Sequence, residues 1–123
     1  MARGEFRIAD QIGSKGYYGQ VTLETETTEV GGDVAISFDP PSTSRWMNGA
    51  RFGIDYVLDH IPKRKYFPSG GKVHVLCIEG HEVDTNNVVI AYVAARALCQ
   101  ALGVELTKQP TFDAASGTFN FPM

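Results

Sequence analysis

The stretch from Val88 to Leu102 constrains this chain most. Val88, Ala91, Tyr92, Ala95, Leu98, Cys99 and Leu102 recur at three- and four-residue spacing, and Gly103 stands where a helix would close in the left-handed conformation. An amphipathic helix is predicted, with Asp84 or Thr85 as its N-cap. So many alanines bring its backbone close to whatever it covers. Just upstream, Lys72 to Glu79 is β-rich, with Val73, Val75 and Cys77 on one side and His74, Leu76 and Ile78 on the other. Two partly apolar faces predict an interior strand, and a sheet is the natural surface for the helix.

The remainder of the chain fits the same plan. From Gly19 to Glu26, Val21 and Leu23 alternate with Gln20, Thr22, Glu24 and Glu26, the period of a strand with one wet face. Gly31-Gly32-Asp33 supplies a turn, and Val34, Ile36 and Phe38 alternate in a second strand expected to pair antiparallel with the first. Pro40-Pro41 ends it. Ser44 is the expected N-cap of a helix whose stripe runs Trp46, Met47, Ala50, Gly53, Ile54, Val57, Leu58 and Ile61, until Pro62 stops it. Lys63-Arg64-Lys65 would then lie near the exposed carbonyls of its C-terminus. After the turn Pro68 to Gly71 and the two segments above, Thr111–Asp113 and Thr118–Phe121 flank Ala114 to Gly117 as a final strand or small hairpin. The order strand, strand, helix, strand, helix, strand predicts an α+β fold: one domain over residues 1–123, a four-stranded mostly antiparallel sheet with two helices packed on one face.

Composition narrows the function classes. A formal charge of -3 argues against a generic nucleic-acid coat, which relies on many Lys and Arg contacts to phosphate, so any RNA contact must be local. No apolar run approaches the roughly 20 residues of a membrane span, and the N-terminus turns polar before a signal core forms, so a cytoplasmic protein without membrane contact is expected. Cys77 and Cys99 read as buried reduced thiols. No phosphate-binding loop, H-E-x-x-H helix or G-x-S-x-G elbow is present, so no nucleotide, cofactor or enzymatic activity is expected. His74, Cys77 and His81 invite a metal, but on an unbulged strand His74 and Cys77 face opposite ways, and none is expected. Asp55, Asp59 and His60 read as a solvated helix face.

Two motifs remain: Ser14-Lys15-Gly16-Tyr17-Tyr18-Gly19-Gln20-Val21, and Gly80-His81-Glu82-Val83-Asp84-Thr85 at the head of the alanine-rich helix. Together they resemble the tip loops of domain IV of translation elongation factor G, over roughly Ala9 to Gly103. In that family an Arg-Gly-Gln-Tyr-Gly loop leads into the first strand; Lys15-Gly16-Tyr17-Tyr18-Gly19 stands in its place, with Lys for Arg and Tyr for Gln. A family His followed by Asp-Val-Asp-Ser-Ser is matched by His81 to Thr85. The resemblance implies the fold of the second domain of ribosomal protein S5, with a left-handed crossover, as a domain standing without the GTPase. It also implies binding of the ribosome or structured RNA through Lys15, Gly16, Tyr17, Tyr18 and His81. Gly16 and Gly19 would permit a tight path with positive φ that presents Lys15, Tyr17 and Tyr18 outward, while Asp84 would only cap the helix. The acidic row Glu24, Glu26 and Glu29 would repel RNA on its side. The alternative is a domain repurposed for protein contact, with a protein partner or a second copy in a homodimer.

Overall fold

The computed structural model describes residues 2–12, 15–28, 33–39, 46–81, 84–113 and 115–122; the side chains of Ile12 and Lys15, and the expected cap Ser44, the turn glycines Gly31 and Gly32, Pro40-Pro41, Glu29, Ser14, Glu82, Val83 and Ala114, lie outside the described residues. Strands β1 (Ala2–Ile12), β2 (Lys15–Thr27) and β3 (Val34–Phe38) are followed by helix α1 (Met47–Asp59), a single helical turn α2 (Lys63–Tyr66), strand β4 (Gly71–Glu79), helix α3 (Asn87–Leu102) and two short strands, β5 (Thr111–Asp113) and β6 (Thr118–Asn120). The main sheet runs β1-β2-β4-β3, and β5-β6 form a separate hairpin. The mixed α+β architecture is the expected one.

Three features depart from expectation. The fourth strand of the sheet is N-terminal: β1 pairs antiparallel with β2 along its whole length, from Ala2 opposite Thr25 to Ile12 opposite Lys15. The tail closes on itself as the small hairpin, one of its two expected forms. Strand β3 pairs with β4, in parallel, rather than antiparallel with β2, because α1 carries the chain back to the starting end before β4 begins. The register of β2 against β4 also slips between Thr22 and Leu23, pairing Thr22 with Cys77 but Leu23 with Val75. The extra residue, Leu76, inverts the alternation, so Ile78 joins Val73 and Val75 in the core while Cys77 turns to the outer face.

The inner face is packed through small residues. A side-chain carbon on Gly4 of β1 would overlap the carbonyl oxygen of Ala97, and one on Gly53 of α1 would overlap that of Ala91. Sheet, α3 and α1 therefore meet backbone to backbone, as the alanines foretold. Around these contacts Leu23, Ile54, Ile90, Leu98 and Val75 are fully buried, each worth about 1.5–3 kcal/mol relative to exposure. Helix α3 is capped by Asn86, whose side chain accepts from the Val89 N–H at 2.9 Å, and ends at Gly103 with φ 65°. Asn86, not Asp84 or Thr85, is the cap. Val88, expected inward, is half exposed. Lys63, Arg64 and Lys65 form their own exposed turn beyond Pro62, and the last turn of α1 holds no basic residue.

The hairpin makes a partial third layer. Phe112 and Phe119 stack with centroids 4.6 Å apart, Phe119 meets Tyr92 of α3, and Phe121 meets Phe52 and Tyr56 of α1. The Tyr56 hydroxyl lies against the carbonyl oxygens of Lys108, at 2.6 Å, and Pro122.

Candidate nucleic-acid interface

Strand β2 outruns β4. The ladder between them stops at Gln20 opposite Glu79, yet β2 continues back to Lys15. A strand end without a neighbour leaves main-chain groups unpaired, and the turn before α3 takes them up. The Tyr18 N–H donates to the Asp84 carbonyl at 3.0 Å, and the Thr85 hydroxyl donates to the Tyr18 carbonyl at 2.6 Å. The same hydroxyl oxygen accepts from the His81 N–H at 2.8 Å, and the N–H groups of Asp84 and Thr85 donate to the His81 carbonyl. Thr85 is buried, so its single hydroxyl pins both motifs.

This junction brings the two sequence motifs together at one end of the sheet. The rings of Tyr18 and His81 lie 4.3 Å apart at 38°, and the Arg7 guanidinium sits 5.5 Å from the Tyr18 ring centroid. His81 and Arg7 are exposed and Tyr18 is half-buried. A depression of about 370 Å³ runs beside them, lined also by Asp10, Gly16 and Asp84.

Tyr17 also lines the depression, but its ring faces the other way. Successive residues of a strand alternate faces, and with Tyr18 outward Tyr17 turns inward, 9% exposed, against Phe112 and Phe119. It is a core residue that anchors the hairpin. Gly16 and Gly19 also act differently from expectation, since neither has positive φ. They allow close approach: a side-chain carbon at Gly16 would meet the Asp84 carboxylate at 2.8 Å, and one at Gly19 would press on Val89 and Ile90. Lys15 continues the β2 ladder opposite Ile12, so its main chain lies at the same end. Arg7 is the residue that sequence reading missed. Its signal was the alternation of Phe6 and Ile8 with Glu5 and Arg7, which marks β1 as a strand with an outward row.

Elsewhere the outer sheet face is polar, carrying Glu5, Gln20, Glu24, Lys72, His74 and Glu79. Cys77 lies on it beside Thr22, its thiol pushed up by desolvation and by the Glu79 and Glu5 carboxylates. Cys99, on the buried side of α3, has its thiol pushed up by burial despite Arg96 and Gln109. The bulge puts His74 and Cys77 on one face, opposite to expectation, but among the described residues no group of three or more His, Cys, Asp or Glu side chains could hold a metal ion. No helix among them is long and apolar enough to cross a membrane.

No known family matches the sequence, and no curated protein does. The structure is similar to that of a protein from Thermus thermophilus, with a TM-score of 0.61 and 22% identity over 83% of this chain. The likeness shows a shared fold. This chain spans 16% of the length of that protein.

Proposed function

We propose that this domain is a binding module of the kind formed by domain IV of elongation factor G, contacting structured RNA, with the ribosome as the leading candidate, through Arg7, Tyr18 and His81. The observation that carries the reading is the meeting of two motifs some sixty residues apart in sequence, whose rings stand 4.3 Å from each other. Asp10 and Asp84 line the same depression and oppose a phosphate seat there. Stacking on unpaired bases therefore contributes more than charge, at about 1–3 kcal/mol per base. Filter binding to ribosomes and ribosomal RNA fragments at modest salt tests this. A Tyr18→Ala, His81→Ala double variant should bind about tenfold to a hundredfold more weakly than the native chain. Equal binding by the two proteins, or none by either, removes the proposal.

A second reading, contact with a protein, is favoured by one observation. Phe52 and Val88 are 53% and 50% exposed beside Phe121, over an apolar groove of about 360 Å³ between α1 and α3. Light scattering at rising concentration distinguishes self-association through that groove, which Phe52→Lys would abolish; a monomer at every concentration removes the homodimer.

A further inference from the structure

On the outer face of the sheet, at the opposite edge from β1, stands a second constellation. Ser37 and Asp39 are two residues apart and so point the same way, and His74 lies directly beside Ser37 in the parallel ladder of β3 and β4. The Ser37 hydroxyl lies 2.5 Å from His74 Nδ1, and His74 Nε2 lies 2.8 Å from Asp39 Oδ1. The Asp39 N–H donates to the Val75 carbonyl at 3.0 Å, which fixes the end of the array.

Its chemistry follows from donor and acceptor roles. An ionised carboxylate only accepts, so in a neutral imidazole Nε2 carries the hydrogen and Nδ1 offers its lone pair to the Ser37 hydroxyl. That is the electronic arrangement of a serine, a general base and an orienting carboxylate, with the two ring nitrogens exchanged relative to the familiar triad. The array is also open. A depression of about 310 Å³ is lined by Ser37, His74, Lys72, Glu24 and Glu26.

We propose that Ser37 is a nucleophile activated by His74, accepting an acyl group from a small ester or thioester that bears a positive charge. Ser37 Oγ bonds to the carbonyl carbon while its proton passes to His74 Nδ1; the bond to the leaving alcohol or thiol breaks, and His74 returns the proton to it. Water then attacks the acyl-serine through the same base, releases the carboxylic acid and restores Ser37. Lys72 is the cation beside the carbonyl oxygen as negative charge develops there. Glu24 and Glu26 face the remainder of the substrate and select for positive charge. Asp39 is a positioning residue, acting through His74.

The test uses the whole chain, a fluorophosphonate probe, and acetylthiocholine beside its uncharged 3,3-dimethylbutyl thioacetate analogue. Peptide mass mapping should place the phosphonyl adduct on Ser37. His74→Gln and Asp39→Asn should slow labelling by about a hundredfold, and Asp39→Glu should recover part of the rate, which loss of a merely structural contact would not produce. Acetylthiocholine should be hydrolysed faster than its analogue. No adduct on Ser37, or labelling unchanged by His74→Gln, overturns the assignment; equal hydrolysis of the two thioesters overturns the charge preference. Should a variant fail to fold, the mapped adduct on the native chain decides.

Discussion

The buried hydroxyl of Thr85 is the narrowest point on which the tip depends, and Thr85→Val tests it with almost no change of shape. The substitution deletes the bond to the Tyr18 carbonyl and the acceptor for the His81 N–H. The Tyr18 carbonyl stays in place without a replacement, so its loss costs the desolvated group rather than only the net bond, about 1–3 kcal/mol. The Tyr18 N–H to Asp84 bond survives, and His81 is exposed enough for water to take over its N–H. The expected loss is therefore about 2–3 kcal/mol by urea denaturation, or roughly 10 °C in Tm for a domain of this size. A local readout separates this from general softening. The His81 ring protons sit over the Tyr18 ring, so their NMR shifts should move toward those of free histidine in Thr85→Val and return in Thr85→Ser. A variant within about 0.5 kcal/mol of native, with His81 shifts unchanged, would show that the loop is held by something other than this hydroxyl.

Three further outcomes follow from the packing. Gly53→Ala should destabilise by about 1–3 kcal/mol despite the better helix propensity of alanine, because the added carbon meets the main chain of Ala91 rather than a side chain that can turn aside; a gain in Tm would refute it. Tyr56→Phe should release the tail that its hydroxyl clasps at Lys108 and Pro122, costing about 1 kcal/mol and speeding proteolysis within residues 108–122 while the sheet stays protected. Stability should fall as pH rises above about 9. Cys99, Cys77 and Tyr56 all have folded-state values raised, chiefly by burial, so the fold favours their protonated forms; that contribution is whole below the unfolded values and is lost as pH climbs through the folded ones. Urea titrations at neutral and alkaline pH should show it, with a shallower decline in Cys99→Ala, and a flat profile would contradict it.

The helices and the central strands are legible because each shows a clean period: three to four in Trp46–Ile61 and Val88–Leu102, two in Gly19–Glu26 and Val34–Phe38. Strand β1 carries only a short beat, Phe6 and Ile8 against Glu5 and Arg7, because the third member of its inward row is Gly4, the glycine that lets α3 in. The pairing of β3 departs from expectation because neighbours in sequence are the default partners, and only the return path of α1 makes β4 its partner. The bulge at Leu76 leaves no mark in the sequence, yet it exchanges the places of Cys77 and Ile78. At the candidate interface, the motifs themselves point to Tyr18 and His81. Tyr17 falls on the other face because the strand begins at Lys15, which extends the alternation back through the loop. Ser37, His74 and Asp39 leave no joint signal in the sequence, since only the ladder between β3 and β4 brings them side by side.

The close packing of the helices and the geometry of the tip are one problem. Thr85 stands two residues before α3, and the first turns of that helix are held against α1 by the glycines: a carbon on Gly49 would collide with Asn87, and one on Gly53 with Ala91. The Asn87 side chain also accepts from the Gly49 N–H at 3.2 Å. The far end of α3 is held separately, by Gly4 of β1 against Ala97 and Ala101. A bulky residue at Gly49 therefore displaces the end of α3 that carries the Thr85 junction, whereas one at Gly4 strains the opposite end. Equal destabilisation at the two sites should act unequally on the Tyr18–His81 contact, with Gly49→Ala moving it and Gly4→Ala leaving it. Small residues along α1 thus reach the proposed RNA contact without touching it, by fixing where the helix that presents it begins.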